Sequence, residues 1–310
     1  MTAAPGISAE RPLYGALMIV CGMSLIGVID NFVRVIADHV GLWQFHFTRT
    51  LIAAPAIILI CSVLGIEWRP HRLGPALIRT ACVAGAMLLY FGALPTAPIA
   101  QVAAGLLTSP IWVLAITAVF LNGSVGPRRI IAVLIGFAGV CLILRPWESD
   151  FTLWSLTPLF AGLLYACGAI STRRLCSNEP PMALILLFFL ALGVAGAIGT
   201  AFLSIWPAPT LAIEAPFFFK PPTWPVAGEG WFWMGVQAFG SIICIFLMTR
   251  GYQSAETSYV ALFEYSFIIS AGITGWIVWG DRLDGMALTG IAMIVAAGAF
   301  IAMRMEARSE

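Results

Sequence analysis

Ten apolar runs, separated by connections that hold most of the charge, constrain this chain more than any other feature. They lie at roughly 13–33, 43–64, 76–94, 98–121, 128–145, 154–172, 182–205, 231–250, 255–279 and 285–303. A helix needs about 20 mostly apolar residues to cross the hydrocarbon core of a bilayer. Lipid offers backbone groups no hydrogen bonds, so runs of this kind cross as helices whose bonds are internal. Composition agrees: 60% of residues are hydrophobic and 10% charged, against roughly 25% charged in soluble domains. Sixteen basic and fifteen acidic side chains cannot keep the surface of 310 residues dissolved in water. The expected fold class is therefore all-α, a polytopic membrane protein of ten transmembrane helices in a lipid bilayer. The first run follows one acid and one base, Glu10 and Arg11, without a small-residue cleavage site, and reads as a retained helix.

Orientation follows from the basic residues. With the N-terminus inside, eleven arginines fall on inner segments, among them Arg69, Arg72, Arg79, Arg128 and Arg129. Only Arg34, Arg145, Lys220 and Arg282 fall outside, and Arg49 lies within the second run. Both termini are expected in the cytoplasm, with residues 1–12 and 304–310 as tails. Nine of eleven tryptophans sit at the outer ends of the runs, as an interfacial aromatic belt would. A net charge of +1 favours no nucleic acid. Seven cysteines lie mostly in apolar runs without metal-like spacing and read as packing residues.

The chain also resembles itself. An offset of 158 residues lays 97–143 on 255–301, where Ala97, Val102, Ala103, Ile111, Ala138 and Ile143 meet identical residues. An offset of 140 brings Gly22 onto Gly162 and Arg34 onto Arg174. Five helices per half is an odd number, so the halves must be inserted upside down to each other. The expected halves are 13–145 and 146–303, the second carrying an outer loop at 207–230. Inverted repeats recur in secondary transporters, with the substrate near the midplane between them.

These motifs resemble the drug/metabolite transporter superfamily in its ten-helix EamA branch. The matching features are Phe47-Thr48-Arg49-Thr50, Ala97 to Thr108-Ser109-Pro110, Ser258-Tyr259, Trp279-Gly280-Asp281 and the Gly290 to Gly298 helix. The resemblance spans 13–303. It implies two EamA-like repeats, alternating access and a small cargo, since members include exporters of amino acids. One departure is visible: many members carry Glu where the turns at Asn122-Gly123 and Gly280-Asp281 begin.

Ionisable groups at membrane depth are costly and mark cavities or partners. Glu264, near the middle of the ninth run, reads as a cavity carboxylate for an ammonium or a coupling proton, or else as a structural link between helices. Arg49 and His46 share one face of the second run. Arg49 offers a donor fork for a carboxylate or phosphate, or clamps the fold as arginines here do across the resembling family. Asp30 and Arg34, at i and i+4, are expected to form a local ion pair; an outer gate linking Asp30 to Arg49 is the alternative. Tyr259, Phe263 and Ser266 form a stripe, and Tyr90, Gln101, Thr108, Tyr165 and Gln237 are further inward candidates, although such stripes are more often packing. The loop 207–230, with six prolines, exceeds ordinary connection lengths and reads as an interfacial segment or a lid.

No phosphate-binding loop, serine nucleophile elbow or metal-ligand cluster occurs, so neither an enzyme nor a cofactor or metal is expected. The expected function is secondary transport of a small metabolite across a bacterial inner membrane. An arginine and a glutamate in one cavity suit an amino acid or related zwitterion. An organic anion read by Arg49 and His46, or a cationic drug read by Glu264, are the alternatives. A proton is the coupling candidate, and no oligomeric state is implied.

Overall fold

The computed structural model describes residues 11–94, 99–120, 127–144, 153–211, 216–255, 257–282 and 284–306. Each apolar run forms a helix or a broken helix, and no strand occurs among the described residues. The first span is α1 (Pro12–Asp30), followed by the short α2 (Val33–His39). Spans two and three are α3 (Leu42–Leu64) and α4 (Leu73–Ala93). The fourth is broken into α5 (Ile99–Leu106) and α6 (Ser109–Phe120), and the fifth is α7 (Pro127–Leu144). In the second half come α8 (Thr157–Leu175), α9 (Pro181–Ile205), the single turn α10 (Pro216–Phe219) and α11 (Gly228–Ser254). The ninth span is α12 (Thr257–Val260), a 3-10 stretch (Ala261–Tyr265), α13 (Ser266–Thr274) and a π turn (Gly275–Trp279). The tenth is α14 (Gly285–Glu306). Five segments are long and apolar enough to cross a membrane: Pro12–His39 (α1 with α2), Leu42–Leu64, Leu73–Ala93, Pro181–Ile205 and Gly228–Ser254.

Helix pairing reveals the symmetry. The packed pairs include α1 with α11, α4 with α8, α3 with α9, and α7 with α14. Further pairs are α1 with α13, α5 with α8, α3 with α11, and α4 with α9. Exchanging each span of one half for its counterpart in the other returns the same set of pairs. Directions follow from the contacts. Along α1, Gly15 meets Gly251, Gly22 meets Cys244 and Gly240 meets Ile29, so α1 and α11 run antiparallel. Gly27 meets Ser270 while Gly15 meets Val260, so α1 and the ninth span run parallel. The fold is thus two five-helix halves, one inverted against the other.

Small residues make these approaches close. A Cβ at Gly162 would stand 2.5 Å from Thr108 Oγ1, and one at Gly196 would stand 2.6 Å from Phe47 N. Packing of this kind replaces the hydrophobic drive that lipid cannot supply between helices.

At one face the first described residue meets the end of α11, where the Arg11 N–H donates to Ser254 O at 2.9 Å. On this N-terminal face Glu179 accepts the backbone N–H groups of His71 (2.7 Å) and Arg72 (2.9 Å), tying the two halves together. At the opposite face a strap built on α10 closes over the starts of α3 and α8. Phe217 is buried against Phe45, and Trp43 Nε1 donates to Phe218 O at 2.8 Å. Gln44 exchanges two bonds with the Thr223 backbone, and Lys220 Nζ donates to Ala37 O (2.6 Å) and Asp38 O (2.8 Å). Partial burial pushes the Lys220 ammonium below the usual lysine range.

Candidate functional site

Between the halves lies a partly open cavity, with about 820 Å³ of non-atom space when the open solvent at its mouth is included. Its walls come from α1, α3, α4 and α5 of one half and α8, α9, α11 and α13 of the other. Tyr90, Phe91, Tyr165, Phe188, Tyr252 and Phe267 give it aromatic surfaces, and Met23, Met87 and Met248 give it deformable ones. Such a lining suits a small organic molecule with a flat or apolar body.

Its charged groups are few and sit at the two ends. Toward the strap stand Asp30 and Arg49. Asp30 is 1% exposed at the last residue of α1; it accepts Tyr90 Oη (2.9 Å) on one oxygen and Gln237 Nε2 (3.0 Å) on the other. Gln237 also donates to Ile29 O and accepts from Ser241, so the amide is held in one orientation. Arg49 is equally buried, wedged among Phe45, Phe91 and Phe189 with ring centroids 4.8, 5.0 and 5.3 Å from its guanidinium carbon. One guanidinium nitrogen lies 3.3 Å from His46 Nδ1, and Nε has no hydrogen-bond partner. None of the ion pairs among the described residues includes Arg49. Aromatic faces are worth about 0.5–2 kcal/mol each to a cation, which helps hold the charge in place while leaving donors open to the cavity.

Toward the N-terminal face stands Arg79, 4% exposed in the second turn of α4. Nε donates to Thr172 Oγ1 (3.2 Å), one terminal nitrogen to Leu184 O (3.2 Å) and the other to Thr249 Oγ1 (3.5 Å). Four helices therefore fix this guanidinium against the cavity.

Glu264 lies one layer behind the wall. It is fully buried in the 3-10 stretch and does not line the cavity. Its carboxylate accepts Tyr165 Oη (2.8 Å), Tyr252 Oη and Ser109 Oγ (3.1 Å). Both tyrosines do line the cavity, so hydroxyls connect the carboxylate to it. Ser109 opens α6 just beyond the break at Leu107-Thr108, and Glu264 lies within the break of the ninth span. The two discontinuities, which the 158-residue offset makes adjacent (Tyr265 falls on Leu107), are thus bonded to each other.

Of the other residues singled out in the sequence, Tyr90, Tyr165 and Gln237 meet these clusters. Thr108 spends its hydroxyl on Gly105 O (2.7 Å) and accepts Trp112 Nε1, stabilising the break rather than facing the cavity. Phe263 is half-buried against the main core. The side chains of Gln101 and Tyr259 lie outside the described residues. The expected Asp30–Arg34 pair does not form. Helix α1 ends at Asp30, and Asn31 and Phe32 intervene before α2, so the i, i+4 geometry is lost. Arg34 turns instead to Asp281 at 2.6 Å and lies over Trp279 at 4.7 Å. The sequence reading missed Arg79, Thr172 and Thr249. Arg79 was counted with the inner basic residues, yet it lies seven positions beyond Arg72 and inside the helix, and that spacing was the available signal.

An inverted-repeat helical bundle around a central, polar-ended cavity has the architecture of a secondary transporter. Residues 13–145 match the EamA-like transporter family, so the chain is similar to the drug/metabolite transporter superfamily. It is similar to the riboflavin transporter of Vibrio cholerae serotype O1, with 28% identity over 94% of each chain. It is also similar to that of Rhizobium johnstonii, with 27% identity over 98% of this chain and 95% of the other. A crystal structure with 15% sequence identity shares the fold at a TM-score of 0.68, over 94% of this chain and 98% of its own. The chain is a multi-pass membrane protein and, by these similarities, a small-metabolite transporter.

Proposed function

We propose that this protein carries a flat, ring-bearing metabolite of the riboflavin class across a bacterial inner membrane by alternating access between its two halves. The observation that supports this most is the cavity itself, with tyrosine and phenylalanine walls for a ring and hydrogen-bonding groups at the ends for a polar tail. The full-length similarity to riboflavin transporters points the same way. In this reading Asp30, Tyr90 and Gln237 accept and donate to hydroxyls, while Arg49 meets a ring carbonyl. Glu264 takes a coupling proton through Tyr165 and Tyr252. The N-terminal face is cytoplasmic, as the arginine count implies.

The test is uptake of labelled riboflavin into liposomes containing the purified full chain. Accumulation above protein-free liposomes, abolished by Arg49→Ala, supports the reading; no accumulation, with or without a proton gradient, sinks it. A second reading, an amino acid or related zwitterion, is favoured by one observation: a carboxylate (Asp30) and a guanidinium (Arg49) line the same end of the cavity. Uptake of labelled amino acids in the same liposomes separates the two.

A further inference from the structure

Arg79 needs an explanation that neither end of that reading supplies. A buried guanidinium is costly at membrane depth unless paired or functional, and no ion pair among the described residues includes it. Its three bonds go to neutral oxygens, two threonine hydroxyls and a carbonyl. Guanidinium carries five N–H donors, so two stay uncommitted, one on each terminal nitrogen. Arg79 also lines the cavity. The charges on that lining are Asp30, Arg49 and Arg79, one negative and two positive, since Glu264 stands behind the wall. Arg79 lies eleven residues from Tyr90 on α4, about 16 Å at the helical rise. Arg49, stacked on Phe91 beside Tyr90, therefore stands at the other end of the α4 wall.

We propose that Arg79, oriented by Thr172, Thr249 and Leu184 O, is a second recognition station at the cavity end remote from Arg49, which binds the carboxylate or phosphate of an anionic ring-bearing solute, a group that riboflavin itself lacks. The proposal rests on the cavity being the transport route. The fixed guanidinium keeps an uncommitted donor on each terminal nitrogen, and carboxylate and phosphate oxygens accept from such donors. Cargo entering from the N-terminal face meets Arg79 first and Arg49 second, with aromatic walls between.

The test is the thermal stability of the full chain in detergent with benzoate, phenyl phosphate or, as the neutral isostere, benzyl alcohol. A ligand that binds the native state raises its melting temperature. At least one anion is expected to raise it by about 2 °C or more beyond benzyl alcohol. Response to benzoate alone assigns a carboxylate site, and response to phenyl phosphate alone a phosphate site. Arg79→Gln is expected to abolish the difference, and Arg49→Gln to leave at least half of it. A purely structural Arg79 would change the baseline but not the anion-specific difference. Should Arg79→Gln not fold, Arg79→Lys keeps the charge without the fork, and the benzoate difference should fall below half. No anion-specific difference in the unmodified chain, or one undiminished in Arg79→Gln or Arg79→Lys, overturns the proposal. Riboflavin uptake measured in parallel keeps the two claims apart: uptake without an anion effect overturns this station alone, and an anion effect without uptake overturns the cargo reading alone.

Discussion

Asp30 and Glu264 are both buried carboxylates in the membrane interior, yet their surroundings differ. Asp30 ends a helix at the cavity wall, with one donor on each oxygen and lone pairs to spare. Glu264 sits inside a helix break behind the wall, and three hydroxyls converge on it. The first is presented to a solute; the second joins two broken helices and reaches the cavity only through tyrosines. Burial and charge alone do not identify a binding residue. What matters is whether acceptor capacity remains on the cavity side.

The contrast can be broken most forcefully at Glu264. Glu264→Ala strands three buried hydroxyls, and losing such a network costs about 3 kcal/mol. A large fall in melting temperature is expected, together with loss of transport; an unchanged melting temperature would show that the carboxylate does not join the breaks. Asp30→Asn should do the reverse. Its amide oxygen still accepts from Tyr90 while its NH2 then faces Gln237 Nε2, so stability is expected to fall by about 1–2 kcal/mol, less than in Glu264→Ala, while uptake drops at least tenfold. Equal losses of stability in the two variants would erase the distinction.

Smaller effects sharpen the comparison. Arg34→Gln removes the ion pair with Asp281, whose side chains are about one-third exposed; such pairs contribute about 0–1 kcal/mol. Because Arg34 does not pair with Asp30, uptake should hold within about twofold. A loss matching that of Asp30→Asn would restore the local pair. The smallest effect concerns a carboxylate in water, Glu67, whose hydrogen bond at 2.9 Å raises the His71 pKa above its ordinary 6.5. A raised histidine pKa adds stability below the unfolded value, and this is lost as pH rises through the folded value. The melting temperature should therefore decline slightly from about pH 6 to about pH 8, and Glu67→Gln should flatten that decline.

Hydropathy made the spans legible because lipid requires a long apolar run for each crossing. Leu42–Leu64 and Pro181–Ile205 begin and end within a residue of the runs read from the sequence. The breaks at Leu107-Thr108 and Ala261–Tyr265 were invisible, since their residues continue the apolar pattern and only backbone bonding is interrupted. Glu264 stood out as a charge in an apolar run, but its three hydroxyl partners come from three other helices and no local spacing announces them. Arg79 was hidden by its closeness to a basic connection. Arg34 was misassigned because an i, i+4 rule presumes an unbroken helix. Side-chain identity was readable wherever local periodicity governed it, and partners were not where the opposite half supplies them.

The pairing of α3 with α9 has a mechanical consequence. This pair maps onto itself when the halves are exchanged, so it lies on the pseudo-twofold axis. Along it Gly193, Gly196 and Gly199 recur every third residue against Thr50, Phe47 and Trp43, so close that an added Cβ would collide with each. When two bodies rock against one another, points near the pivot travel least, and only there can backbones stay in such intimate contact throughout. In the alternating access proposed above, the glycine row would serve as a bearing: a methyl group at Gly196 would jam that rotation as well as loosen the packing.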